Sequence, residues 1–148
     1  MADVKKLVLV EFPAPHMFDL VDRVEEYPMF LPWCGGAAVL DRTDTKTVAR
    51  VHVSYHGVKA HFTTENDKHY PRHMLIRLRE GPFTHLEGTW DFTPLGEVAC
   101  KIEFSLRYEF SHKILEKALG PVFHHIANTL VDSFVKRAGQ VSTSGRES

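Results

Sequence analysis

The sequence is short of several things that would assign it to a common chemistry. It has two cysteines in 148 residues, Cys34 and Cys100, and neither belongs to a CxxC pair. Zinc ribbons and thioredoxin-type redox motifs are thereby excluded. A single disulfide between the two stays open, but two reduced and mostly buried thiols, as in a reducing cytoplasm, are the expectation. No charge of one sign dominates: 18 Lys and Arg stand against 19 Asp and Glu, for a net charge of −1. A global basic field of the kind that advertises DNA binding is therefore absent, although a local basic patch stays open. The 10 histidines would make the surface more positive below about pH 6.5. No run approaches the ~20 apolar residues of a membrane span. The apolar stretch Leu7–Val10 is too short for a signal-peptide core and ends at Glu11. There is no P-loop, no nucleophile elbow and no HExxH. His124-His125 and the pair His69 and His73 lack ligand spacing, so no metal and no resident cofactor are expected.

What the sequence does have is an unusual apolar segment, Tyr27-Pro28-Met29-Phe30-Leu31-Pro32-Trp33-Cys34. Its two prolines oppose a regular helix or an interior strand. Connections are ordinarily polar and exposed. This one must be buried, line an apolar cavity, or face a partner or membrane. Trp33 and Leu31 then either line a pocket mouth or plug the end of the core. Tyr27 either offers its hydroxyl to a ligand oxygen or caps the core edge with the hydroxyl in water.

The remaining pattern is α+β. Lys5–Phe12 reads as a strand. Pro13 and Pro15 open a helix carrying Met17, Phe18, Val21 and Val24 at helical spacing. Strands follow over Ala37–Arg42, Thr47–Tyr55 and Val58–Thr64, with Glu65-Asn66-Asp67 as turn chemistry. Two further strands surround Met74, Ile76 and Leu78, and Leu86, Trp90 and Phe92. The clearest alternation is Ile102, Phe104, Leu106, Tyr108 and Phe110 against Lys101, Glu103, Ser105, Arg107 and Glu109, as in a sheet with one dry face. Leu115, Leu119, Val122, Phe123, Ile126, Leu130 and Phe134 then form a broad helical stripe. Gly120-Pro121 should kink or split that helix, and Gly139 should stop it. One domain is expected over 1–139, with 140–148 a short disordered tail. The last helix carries the largest apolar face and should lie across the curved antiparallel sheet. A space left between them would be an apolar pocket, expected at ~300–1000 Å³.

The segment Tyr27–Cys34 resembles the YPxFLPWC signature of the coenzyme-Q-binding START-like proteins, a family that includes a bacterial ribosome-association toxin. Phe62-Thr63-Thr64, Gly81-Pro82-Phe83 with Leu86 and Gly88, Trp90 with Phe92, and Phe134-Val135-Lys136-Arg137-Ala138 extend the likeness over nearly all of the chain up to Ala138. The resemblance implies a helix-grip (START-like, Bet v 1-like) fold with a hydrophobic tunnel, no metal and no catalytic residues. Mitochondrial relatives carry an import segment that is not seen here, so a bacterial and cytoplasmic protein is expected, peripheral to the inner face of the membrane if it touches one. The leading expectation is non-enzymatic binding of ubiquinone, another polyprenyl quinone or a similar lipid in support of respiration. Burial at ~0.8 kcal/mol per CH₂ would supply the affinity. The candidate ligand-binding residues are Tyr27, Phe30, Leu31, Trp33, Phe62, Trp90, Phe92, Phe104, Tyr108, Phe123, Ile126, Leu130 and Phe134. The alternative is a toxin that binds the large ribosomal subunit and blocks subunit joining. Arg72, Arg77, Arg79, Lys136 and Arg137 are the candidate RNA contacts for that role, or simply solvated charges.

Overall fold

The computed structural model describes residues 1–147, with side chains through Val141. Strand β1 (Ala2–Val10) leads into helix α1 (Ala14–Asp22) and a short 3-10 helix (Val24–Met29). Six strands follow: β2 (Cys34–Arg42), β3 (Lys46–Tyr55), β4 (Val58–His69), β5 (His73–Glu80), β6 (Phe83–Pro94) and β7 (Cys100–Phe110). Helix α2 (Lys113–Glu147) closes the fold. The strands form one antiparallel sheet in the order β1-β7-β6-β5-β4-β3-β2. The period-two pattern of β7 does what it promises. Ile102, Phe104, Leu106 and Tyr108 are buried, while the intervening residues are half-buried or exposed. Register shifts in β2–β3, β4–β5 and β6–β7 bend the sheet. Its concave face grips α2 through Phe123, Ile126, Ala127, Val131, Phe134 and Ala138, all buried.

Four local expectations change. Glu65-Asn66-Asp67 is not a turn but the middle of β4, since Asn66 pairs with Thr47 on one side and Ile76 on the other. Two ladders outweigh the local turn preference. The strand expected from Ala37 begins at Cys34, so Gly35-Gly36 lies inside β2, where a Cβ on Gly35 would come 2.9 Å from that of Ser54. Pro121 neither splits α2 nor ends it. Pro121 is exposed, so the carbonyl it leaves without a donor can be hydrated. The helix also runs through Gly139, whose site faces Phe12.

Asp22, at the end of α1, ties that helix to three strands. Its carboxylate accepts hydrogen bonds from Thr47 Oγ1 at 2.8 Å and Lys68 Nζ at 3.0 Å. Its main-chain oxygen accepts from Arg42 Nη2 at 2.7 Å, and Arg42 also pairs with Glu25 at 2.6 Å. Cys34 and Cys100 are both free and buried. Among the described residues, no helix is long and apolar enough to cross a membrane, and no group of His, Cys, Asp and Glu could hold a metal.

Candidate functional site

Strand alternation aims Val51 on β3, Phe62, Thr64 and Asn66 on β4, Ile76 on β5, Leu86 and Trp90 on β6, and Phe104 and Leu106 on β7 toward α2. Between these side chains and Phe123, Ile126, Ala127 and Leu130 of α2 lies a cavity of about 90 Å³. Val24, Tyr27 and Trp33 close one end, so part of the proline-broken segment does form cavity wall. A smaller void of about 10 Å³ sits beside it and shares Phe62, Phe123 and Ile126 as its partition.

The cavity is well below the 300–1000 Å³ expected from the sequence. The reason is aromatic packing. Phe123 meets Tyr108 at 4.6 Å and Phe83 at 5.0 Å between ring centroids, and Trp90 meets Phe104 at 4.4 Å. These rings fill space that a stripe of smaller residues would have left open.

Of the residues singled out from the sequence, Tyr27, Trp33, Phe62, Trp90, Phe104, Phe123, Ile126 and Leu130 line the cavity. The others stand behind its wall. Phe92 stacks on Trp90 with centroids 5.9 Å apart and meets Phe18. Phe134 is set edge-on to Trp90 and Tyr27. Tyr108 packs on Phe83 and Phe123. Phe30 is half-buried on Phe134, under the Arg137 guanidinium at 5.2 Å. Leu31 is 1 % exposed and Trp33 4 %, so neither meets solvent or a membrane; Met29 is the exposed apolar residue of that segment. The Tyr27 hydroxyl is not in water either. It donates to the Val21 carbonyl at 2.5 Å, and burial pushes its ionisation far above the ordinary phenol range.

Among the described residues, two buried polar atoms of residues that line the cavity, Asn66 Oδ1 and Trp33 Nε1, have no hydrogen-bond partner. Sequence reading missed Asn66 because it assigned that stretch to a turn. The signal that would have found it is the two-residue step from Phe62 through Thr64.

The arginines proposed as RNA contacts are mostly neutralised. Arg77 pairs with Asp67 and Glu65, Arg79 lies 3.8 Å from Glu65, and Arg137 lies 3.6 Å from Glu26. Arg72 and Lys136 are exposed on separate elements. A different basic row runs along the outer face of β3 and β4. There Arg50 stands opposite Thr63, His52 opposite His61, and Ser54 opposite Lys59. His52, His61 and Lys59 are exposed, and the two histidine rings are 5.7 Å apart. Arg50 bonds Thr63 Oγ1 at 3.3 Å and reaches Glu80 at 3.9 Å. Gly36 and Ala38 of β2 flank the row with small side chains that leave it uncovered.

Residues 10–135 match the protein family described as polyketide cyclase / dehydrase and lipid transport. The ribosome association toxin RatA of Vibrio cholerae is 43% identical over 141 residues, covering 95% of this chain and 98% of that protein. The mitochondrial coenzyme Q-binding protein COQ10 homolog B of Xenopus laevis is 28% identical over 135 residues, covering 88% of this chain and 55% of that one. Among solved structures, a protein of Thermus thermophilus superimposes with a TM-score of 0.80 at 21% identity, covering 95% of this chain and 99% of its own. That last likeness concerns the fold alone.

Proposed function

We propose that this chain, which belongs to the polyketide cyclase / dehydrase and lipid transport family, acts by binding, as a ribosome-association protein. The observation that carries this reading is 43% identity to a toxin named for ribosome association, along nearly the full length of both chains. The inner cavity supports binding over catalysis. Among the described residues, its wall has no carboxylate, histidine, lysine or cysteine to move a proton or attack a substrate. The contact surface in this reading is the outer row of Arg50, His52, His61 and Lys59. Ribosomal RNA presents phosphates to such a face, and binding there would obstruct the large subunit from joining its partner.

Each cation that neutralises a phosphate releases a counterion, so affinity must fall as salt rises. Lys59, joined by Arg50 where a phosphate displaces Glu80, gives a slope of log affinity against log salt of roughly −1 to −2. Sedimentation of the purified chain with isolated ribosomal subunits, over a salt series, tests this. Salt-sensitive binding to the large subunit is expected. No co-sedimentation at low salt refutes the reading.

A second reading has its own observation, the apolar cavity. It would hold a hydrophobic molecule such as a polyprenyl quinone or another lipid. At about 90 Å³ the space needs the Phe62 and Phe123 rings to turn before a chain can extend into the neighbouring void. Organic extraction of the purified chain and mass spectrometry would yield such a molecule if this reading holds. A host-expressed chain that carries none, and takes up none from added short-chain quinone, contradicts it.

A further inference from the structure

The sheet ends in two edge strands, β1 and β2, and the chain treats them differently. The β2 ladder is broken twice, between Cys34 and Gly36 and between Val39 and Asp41. Such irregularities blunt an edge against pairing with another chain. Nothing interrupts β1: all 9 residues from Ala2 to Val10 pair in regular register with β7. Among the described residues no strand lies on its far side, where alternate N–H and C=O groups of β1 point outward. The outer face of β1 carries Leu7 at 63 % exposure and Leu9 at 65 %, in an apolar run too short for a signal peptide or a membrane span. Lys5 is exposed on the same face, and exposed Glu11 continues the alternation one step past the strand. Neither charge has an ion-pair partner among the described residues.

We propose that β1 is a self-association surface whose occupant is β1 of a second copy of this chain, paired antiparallel about a two-fold axis at Val8. Residues directly opposite in an antiparallel pair lie on one face, so outer residues of one copy meet outer residues of the other. With the axis at Val8, Leu7 meets Leu9 of the second copy and Lys5 meets its Glu11, and symmetry repeats both contacts. The other registers lose this match. An axis at Leu7 sets Lys5 against Leu9 and puts Asp3 and Glu11 face to face. An axis at Leu9 sets Leu7 against Glu11. An axis at Lys6 sets Lys5 against Leu7 and Asp3 against Leu9, and an axis at Lys5 sets that lysine against itself. Only the Val8 register lays leucine on leucine and gives both free charges an opposite partner. On the concave side Val8 then meets its own copy, apolar on apolar. One strand pair is a small interface, below about 1,200 Å², so the dimer is a weak one that dissociates at about 10–100 µM.

Sedimentation velocity of the full chain over about 5–500 µM spans that range. The wild type should pass from monomer to dimer. Lys5→Glu and Glu11→Lys each turn two attractions into two repulsions, and each alone should weaken the dimer about 10-fold or more. Mixing the two single variants restores opposite charges at both contacts, and so does combining them in one chain. The mixture and the double variant should therefore return to within about threefold of the wild-type dissociation constant. Both positions are exposed, and recovery in the mixture shows that both variants fold. A wild type that stays monomeric at the top of the range overturns the proposal. A dimer that both single variants keep at wild-type strength also overturns it, and places the contact on another face. Weakening by the single variants with no recovery in the mixture overturns the register.

Discussion

Removing the carboxylate of Asp22 should damage this fold more than any surface charge change. Lys68 Nζ lies 3.0 Å from Asp22 Oδ2, and the Lys68 side chain is 5 % exposed against 18 % for Asp22. An Asp22→Ala chain leaves a nearly dry ammonium with no counter-charge, which costs about 3–5 kcal/mol. It also frees Thr47 Oγ1, which is buried, from its 2.8 Å bond. A domain of this size has about 5–15 kcal/mol in total, so the loss approaches half of the stability. Lys68→Met should behave differently. It removes the charge that needed a partner, and leaves Asp22 bonded to Thr47 and beside Arg42. Its cost should stay near 1 kcal/mol, and adding it to Asp22→Ala should recover most of the loss. Urea denaturation of the four proteins closes the cycle. Raising salt should not rescue Asp22→Ala, because a buried charge is little screened. A loss below about 1 kcal/mol for Asp22→Ala, or no recovery in the double variant, would refute the reasoning.

The Glu25 carboxyl is held below its usual range chiefly by its hydrogen bond from Arg42. A carboxyl lowered on folding adds stability above its unfolded value, near pH 4.3, and loses that contribution as the pH falls through its folded value. The urea midpoint of the wild type should therefore drop more between pH 5 and pH 3 than that of Glu25→Gln. Tyr27→Phe removes the bond to the Val21 carbonyl while keeping the ring, and should cost about 0.5–1.5 kcal/mol by the same denaturation. Burial pushes the Cys34 and Cys100 thiols up, so a thiol-reactive dye should label the folded chain slowly at neutral pH and both sites rapidly in denaturant; rapid labelling of the native chain would contradict their burial.

The legible parts of the fold were those with a strong period. The alternation of Ile102 through Phe110 placed β7 and its inner face, and the stripe from Leu115 to Phe134 placed α2 against it. Those residues obey local geometry and one burial rule, so a single sequence suffices. Asn66 was not legible in the same way. Its turn preference is local, while its place in β4 is set by Thr47 and Ile76, partners 19 and 10 residues away. The Asp22–Lys68 pair spans 46 residues and leaves no periodic trace. The cavity volume was hidden for another reason. A stripe shows which face an aromatic ring takes, not whether it meets the ring opposite, and Phe123 against Tyr108 turned out to be contact rather than void. The outer row on β3 and β4 was missed because it joins residues of two strands that only the register brings side by side.

The most direct measurement of the central claim is a sedimentation assay of subunit joining with Lys59→Glu and His61→Glu combined. Both positions are exposed on the outer face, and neither touches the cavity. The wild type should sediment with the large subunit and reduce the yield of joined ribosomes, while the folded variant should sediment free and leave joining intact. A variant that still binds the large subunit as tightly as the wild type, with the same salt slope, would contradict the account.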